Sequence, residues 1–222
     1  MRTEKRQIIA FFDLDWTILT VNSGYAWMAS EYRQGRISRW QFVQAIIYTV
    51  GYRLNLIDMH DAHRKALATV IGDREDELRD RTEEWYLRDI VSKVAADAVR
   101  VIEAHRAAGH YLVLLTSASS YEAKVASENL GFDTYIGSRY HVESGLFTGE
   151  LLLPLCYGEG KSVYAERLTR RTNADLRDAY FYSDSGSDID LLRKVGHPRA
   201  VNPDPRLRGE SRRRAWPILE WS

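Results

Sequence analysis

Two carboxylates two residues apart follow an apolar run in FFDLDWTIL, residues 11–19. A second acidic group stands far along the chain in YSDSGSDIDLL, residues 182–192, where a glycine-containing turn separates Asp184 from Asp188. Each apolar run reads as a strand ending in aspartate, and in open α/β sheets ligands gather at the carboxyl ends of strands. Carboxylates crowded at one sheet edge raise each other's pKa unless a cation neutralises them. Their oxygen-only donor set suits a hard ion, Mg²⁺ above all. Asp13, Asp15, Asp184 and Asp188 are therefore candidate metal ligands, with capping of the helix that begins IDLLRKV as the plainer role for Asp188.

Two further segments carry groups that suit phosphate. Thr116 and Ser117 close the apolar run YLVLL ahead of the helix-like SSYEAKVASENLG. A hydroxyl beside free N–H groups at a helix start can hold a phosphate oxygen, though the same residue types also serve as ordinary N-caps. Lys161, in GEGKS, opens another helix, and its ammonium could balance both a phosphate and an attacking aspartate. The spacing GxxxxGK[ST] is absent there, so GEGK is not a Walker A loop.

Positioning such groups takes a sheet. Residues 7–12, 111–115 and 179–182 are short, apolar, β-branched or aromatic runs, as in strands buried on both faces. Helix-like stretches separate them: AADAVRVIEAHRAAGH, with Gly109 suited to its C-terminal cap, and KSVYAERLTRRTNADLRD. Strand, helix, strand at this spacing predicts an α/β fold with a three-layer, Rossmann-like core and a mostly parallel sheet. RYHVESGLFTGELL alternates apolar and polar residues around Ser144-Gly145 and predicts a hairpin.

Nearly a hundred residues separate the first two strands, far more than one crossover needs. Residues 23–91 read as several helices: Ser38 and Gln41 form a capping box, Asp58 caps a second helix, and REDELRDRTEEWYLRDIV is a third. The chain is thus expected to divide into a core, residues 1–20 and 93–222, and a small helical cap, residues 21–92, inserted after the first strand. Tyr25, Trp27, Tyr32, Trp40, Tyr48, Tyr52, Trp85 and Tyr86 are expected mostly to pack within that cap. The basic run Arg212 to Arg214 reads as a solvated helix end.

Thirty-one basic residues balance 31 acidic ones across 222 residues, so no overall field favours nucleic acid or an anionic membrane. Cys156 is the single cysteine, which rules out an intramolecular disulfide and suits a reducing, cytoplasmic setting. MRTEKRQIIAFFDLD has too short an apolar run for a secretion signal or membrane span and reads as leading into the first strand. No stable membrane association is expected, and a monomer and a homodimer are equally open.

Together, FFDLDWT, LLTSAS, Lys161 and SDSGSD resemble, in order, the four motifs of the haloacid dehalogenase superfamily of phosphohydrolases. The helical insert, the hairpin, CYGEGK and VNPDPRLR are most similar to the phosphoserine phosphatase-like branch. The resemblance implies a Mg²⁺-dependent phosphomonoesterase for a small organic phosphate, with Asp13 as nucleophile forming an aspartyl-phosphate and Asp15 as general acid and base. It implies Mg²⁺ held by Asp13, the Asp15 carbonyl and Asp184, with Asp188 close by; Thr116, or Ser117 one residue on, binding a phosphoryl oxygen; Lys161 pairing with Asp13 and phosphate; and Thr17 steadying the turn. In phosphoserine phosphatases a glutamate nine positions after the nucleophile helps to bind the substrate amine. Asn22 stands there, so phosphoserine is not the preferred substrate, and histidinol phosphate is an alternative. A phospho-accepting regulatory module without turnover is the alternative of another class, but needs neither Asp15 nor the insert. Trp16, where the family often has glycine, is expected to point away from the metal, packing under the cap or lining its entrance.

Overall fold

The computed structural model describes residues 6–53 and 59–222. Its first strand, β1 (Ile9–Phe12), is buried along its whole length. Alternation divides it between two apolar layers: Ala10 and Phe12 face one, Ile9 and Phe11 the other. A strand buried on both faces belongs mid-sheet, and β1 lies between β2 (Tyr111–Ser119) and β5 (Tyr180–Ser183), parallel to both.

Around this centre the seven strands run in the order β4-β3-β2-β1-β5-β6-β7. They include β3 (Thr134–Glu143), β4 (Leu146–Leu152), β6 (His197–Val201) and β7 (Ile218–Leu219). Only β4 is antiparallel to its neighbour, and the turn joining it to β3 is Ser144-Gly145, both at positive φ (51° and 81°), as a two-residue hairpin requires. Helices α5 (Ala96–Ala107) and α6 (Ser120–Leu130) cover one face through Ala98, Ile102, Ala123 and Ala126. Helices α7 (Glu159–Arg171), α8 (Ile189–Lys194) and α9 (Pro205–Arg214) cover the other through Ala165, Leu191, Leu192 and Leu207. The three-layer, mostly parallel architecture expected from the sequence is thus the observed one.

Boundaries moved where tertiary pairing outweighed the local pattern. Strand β2 runs four residues past Leu115, because a register shift re-pairs Ser119 with Ser138. The start of α6 is accordingly capped by Ser119, which accepts from the Glu122 N–H at 3.2 Å, and Thr116 and Ser117 lie in the strand. Gln7 makes only an isolated bridge, to Ala174, and α7 stops at Arg171, short of the helix read through residue 178. Gly109 stands just beyond α5 at φ 73°, the place of a C-terminal cap.

Between β1 and α5 lie helices α1 (Ser23–Arg33), α2 (Arg39–Arg53), α3 (Met59–Ala68) and α4 (Glu75–Trp85). The Ser38/Gln41 capping box closes in both directions, at 2.7 and 3.3 Å. Asp58 falls outside the described residues, as do the side chains of Tyr48 and Tyr52. Trp85 and Tyr86 are buried, Trp27 packs edge-on to Trp85, and Tyr25 and Tyr32 flank Phe42. Trp40 departs from expectation, being 65% exposed. This layer meets the hairpin, where Gly72 N–H donates to the Phe147 carbonyl, and meets α6, where Tyr121 donates to Glu75. Arg213 and Arg214 both pair with Glu210 near the end of α9, a carboxylate that also receives Arg193 from α8.

One backbone approach positions the lysine helix. A Cβ on Gly160 would stand 1.8 Å from the Leu155 carbonyl oxygen, closer than any adjustment of side chains can relieve. Gly160→Ala is expected to displace the first turn of α7 and lower stability by about 1–3 kcal/mol, read from urea unfolding. An unchanged midpoint would mean that this approach is not required.

Candidate active site

The register of the central strands brings the acidic motifs together. Phe12 pairs with Leu114 on one side and Tyr182 on the other, so Asp13, Thr116 and Asp184 all follow strand residues at one edge of the sheet. The Asp13 N–H continues the ladder, donating to the Tyr182 carbonyl at 2.9 Å. Lys161, from the first turn of α7, reaches beneath them: its Nζ lies 2.9 Å from Asp13 Oδ1 and 2.8 Å from Asp188 Oδ2. All three side chains are almost completely buried, at 6%, 0% and 2% exposure for Asp13, Asp188 and Lys161.

Asp188 is the structural half of this clamp. It stands at the N-cap position of α8, but its side chain makes no capping hydrogen bond. It accepts instead from Lys161 and, at 2.7 Å, from Ser183 Oγ. The plain capping role is therefore not the one it plays. The turn between Asp184 and Asp188 is fastened by Asp204, whose carboxylate accepts from the Gly186 N–H at 2.8 Å and from Leu207 N–H at 2.7 Å. Asp204 N–H in turn donates to the Asp184 carbonyl at 2.8 Å. Sequence reading missed Ser183 and Asp204; the pattern D-P-R-L, aspartate before a helix-opening proline, marks the latter as an N-cap.

Asp15 is held differently, by the start of α1. Its carboxylate accepts from Ser23 N–H at 2.8 Å and from Asn22 Nδ2 at 3.0 Å, while Asn22 Oδ1 caps the helix by accepting from Tyr25 N–H. Asn22 thus joins the acidic turn to the inserted helices. Trp16, next in the chain, adopts φ 55°, the left-handed region that favours glycine, and its N–H donates to the Val21 carbonyl at 3.2 Å. A glycine would meet no penalty at this position, which is the physical reason to find one there; the half-buried indole is carried by the surrounding turn instead. Thr17 is buried, yet its hydroxyl has no hydrogen-bond partner among the described residues, so the expected steadying of the turn does not come from it.

Thr116 is fully buried and its Oγ1 accepts from the Ala118 N–H at 3.1 Å, whereas Ser117 is half-buried and its carbonyl accepts from Ser138 Oγ at 2.8 Å. Both lie at the site's edge of β2.

Burial dominates the electrostatics. It pushes the Asp13 carboxyl up to about 7 against the pull of the Lys161 ammonium, with the charges of Asp188 and Asp15 adding to the rise. Asp184 is held well above the ordinary carboxylate range by burial and then by Asp13 and Asp188. Burial likewise raises Asp15, opposed by the Ser23 N–H. Four carboxylates therefore face one ammonium, and the side-chain carboxylate of Asp184, a residue 8% exposed, accepts no hydrogen bond from any described residue. A buried carboxylate with no donor aimed at it is what a hard cation would complete. Among the described residues no three His, Cys, Asp or Glu side chains are grouped as a ready-made metal cage.

With this geometry in place, comparison with known proteins gives the family. The model for haloacid dehalogenase-like hydrolases matches residues 10–193. The chain belongs to that family. A relative from Mycobacterium tuberculosis (strain H37Rv), named a probable phosphatase, is 33% identical over 96% of this chain and 75% of its own length. A phosphoserine phosphatase of the same organism is 31% identical over 96% of this chain and 70% of its length. A solved structure from Bordetella pertussis Tohama I, of unknown function, superposes with a TM-score of 0.84 at 28% identity, covering 97% of this chain and 99% of that one. This haloacid dehalogenase-like hydrolase is a phosphatase, and Asp13, Asp188 and Lys161 converge at one edge of its sheet.

Glu122 is one of several buried acids that lie outside the four motifs. Glu122, in the first turn of α6, is 6% exposed, and burial followed by the charge of Asp15 pushes its carboxyl up to about 8. A raised folded pKa means that the native state binds the proton more tightly than the unfolded chain, so this group's contribution falls as pH rises from about 4.5 through about 8. Glu122→Gln is expected to raise the melting temperature relative to wild type at pH 9 and to leave it nearly unchanged at pH 5. The same difference at both pH values would contradict this burial cost.

Proposed function

We propose that the protein is a Mg²⁺-dependent phosphomonoesterase that hydrolyses a small organic phosphate through an aspartyl-phosphate on Asp13. The observation that carries the reading is the division of labour between the two acids of FFDLD: Asp13 is clamped by a buried lysine, while Asp15 is oriented independently by Ser23 and Asn22. A nucleophile needs a fixed, ionised oxygen; burial raises the Asp13 carboxyl, and the Lys161 ammonium is the chief influence opposing that rise. A general acid needs a held proton near neutral pH, and burial of Asp15 favours it.

In the first half-reaction an Asp13 carboxylate oxygen attacks phosphorus, the P–O bond to the alcohol breaks, and Asp15 donates its proton to the leaving oxygen. In the second, Asp15 takes a proton from water as that water attacks phosphorus, releasing inorganic phosphate and restoring Asp13. Thr116 or Ser117 and Lys161 receive the phosphoryl oxygens. Asp13, the Asp15 carbonyl and Asp184 would hold Mg²⁺, with Asp188 close by, and the ion when bound supplies positive charge against the phosphoryl oxygens. Helices α1 to α4, within residues 21–92, act as the cap over a core of residues 1–20 and 93–222, excluding water and selecting the alcohol. Asn22 uses its side chain on Asp15 and on α1, which leaves it unavailable as the amine ligand of a phosphoserine site.

Phosphate release from p-nitrophenyl phosphate and a metabolite ester panel, with and without Mg²⁺, tests the reading. Magnesium-dependent turnover is expected in wild type, and Asp13→Asn and Asp15→Asn should each lose at least about 10²-fold. Full activity in Asp15→Asn would remove it from acid-base chemistry, and phosphorylation of wild-type Asp13 without turnover would favour a phospho-acceptor.

A further inference from the structure

Helix α2, RWQFVQAIIYTVGYR, is apolar on more than one side. On its inner side Phe42 packs against α1, its ring stacked on Tyr32 at 4.8 Å and lying 6.1 Å from that of Tyr25. On its outer side Trp40, Val43 and Ile47, spaced i, i+3 and i+7, form a stripe with Ile46 at its margin. Trp40 is 65% exposed, Ile47 56%, Ile46 38% and Val43 36%. A helix at the surface of a folded domain ordinarily buries one apolar stripe and turns polar residues outward. A second stripe, left open by the described residues, calls for a second partner.

The charge around this stripe is of one sign. From Gln34 to Arg53 the chain has three arginines, Arg36, Arg39 and Arg53, and no aspartate or glutamate. Arg39, next to Trp40, is exposed and makes no ion pair with a described residue. Arg36 pairs with Glu31 at 2.9 Å, but that carboxylate also receives Arg81. Asp89 is likewise shared, by Arg33 at the end of α1 and by Arg88. Positive charge therefore exceeds negative charge at the turn that leads into α2. The overall charge balance and the short N-terminal apolar run argue against a stable membrane association, but neither registers a face that forms only once α2 is folded.

An apolar stripe rimmed by unbalanced arginines matches a surface that is apolar beneath and anionic above. A second copy of the chain matches it less well. Four side chains fall short of the roughly 20 residues a side that a stable dimer buries, and pairing α2 with α2 would bring arginine rims together. No described helix is long and apolar enough to cross a membrane, so the fitting geometry is a helix lying along the interface.

We propose that the outer face of α2 is a peripheral docking surface for an anionic membrane. Trp40, Val43, Ile46 and Ile47 enter the boundary between headgroups and acyl chains, and Arg36 and Arg39 meet the lipid phosphates. This goes beyond the phosphatase reading and does not depend on it.

Cosedimentation of the full chain with vesicles tests the proposal, using phosphatidylcholine alone against an equal-part mixture with phosphatidylglycerol. The anionic vesicles are expected to bind at least about 10-fold more tightly at low salt, and the difference should shrink at high salt. Arg36→Gln combined with Arg39→Gln should weaken binding to anionic vesicles by roughly 10-fold or more. Trp40→Ser combined with Ile47→Ser should weaken binding to both kinds of vesicle by a similar factor. All four positions are exposed, so each double variant is expected to keep the wild-type melting temperature. Absence of wild-type binding to anionic vesicles, or binding that survives both double variants, overturns the proposal. A dimer in sedimentation velocity that Trp40→Ser with Ile47→Ser dissociates also overturns it, and gives the stripe to a second copy.

Discussion

Lys161 lies in the interior with its ammonium between two aspartates, and the arrangement of the acidic edge follows from that contact. An isolated charge at 2% exposure would be untenable; paired at 2.9 and 2.8 Å with Asp13 and Asp188, it ties the end of β1 to the turn before α8 through the first turn of α7. Buried ion groups of this kind are weak stabilisers, because desolvation offsets most of the attraction, but removal of one member leaves the others exposed to the full cost. The clamp is better understood as fixing position. It sets where the Asp13 oxygen points, while Ser183 and Asp204 keep the acidic turn from relaxing away.

The second acid of the pair answers to a different part of the chain. Asp15 takes its orientation from Asn22 and Ser23, residues that begin the helical insertion. A shift of α1 would therefore move the Asp15 carboxylate without moving that of Asp13. In the proposed reaction this link gives the insertion a physical route to the chemistry: the helices that would select the alcohol also hold the group that would protonate it. Gly160 plays the corresponding part on the lysine side, where contact with the Leu155 carbonyl leaves no room for a side chain.

The parts of the fold legible in the sequence are those whose physics is local. Apolar β-branched runs ending in aspartate marked β1 and β5, Ser144-Gly145 marked the hairpin, and Ser38 with Gln41 marked a helix start, because each pattern is satisfied within a few residues. The extent of β2 was not legible, since residues 116–119 belong to the strand only through pairing with β3. In the site, the charged residues of the motifs could be named from spacing, and the clamp brings Asp13, Lys161 and Asp188 together. Their supports could not: Ser183, Asp204 and Glu122 look like a strand-end serine, a turn aspartate and an ordinary first-turn acid until the tertiary structure buries them. Trp16 reads as an intrusion in a turn, and only its left-handed backbone reveals why that position favours glycine.

The central claim is that a carboxylate oxygen of Asp13 becomes bonded to phosphorus during turnover. Borohydride reduction of the enzyme quenched during steady-state hydrolysis, followed by peptide mass spectrometry, reads this directly. The account predicts conversion of residue 13 to homoserine, dependent on substrate and absent in Asp13→Asn. Rapid turnover with no reduced residue at position 13, or with the label on another side chain, would contradict it.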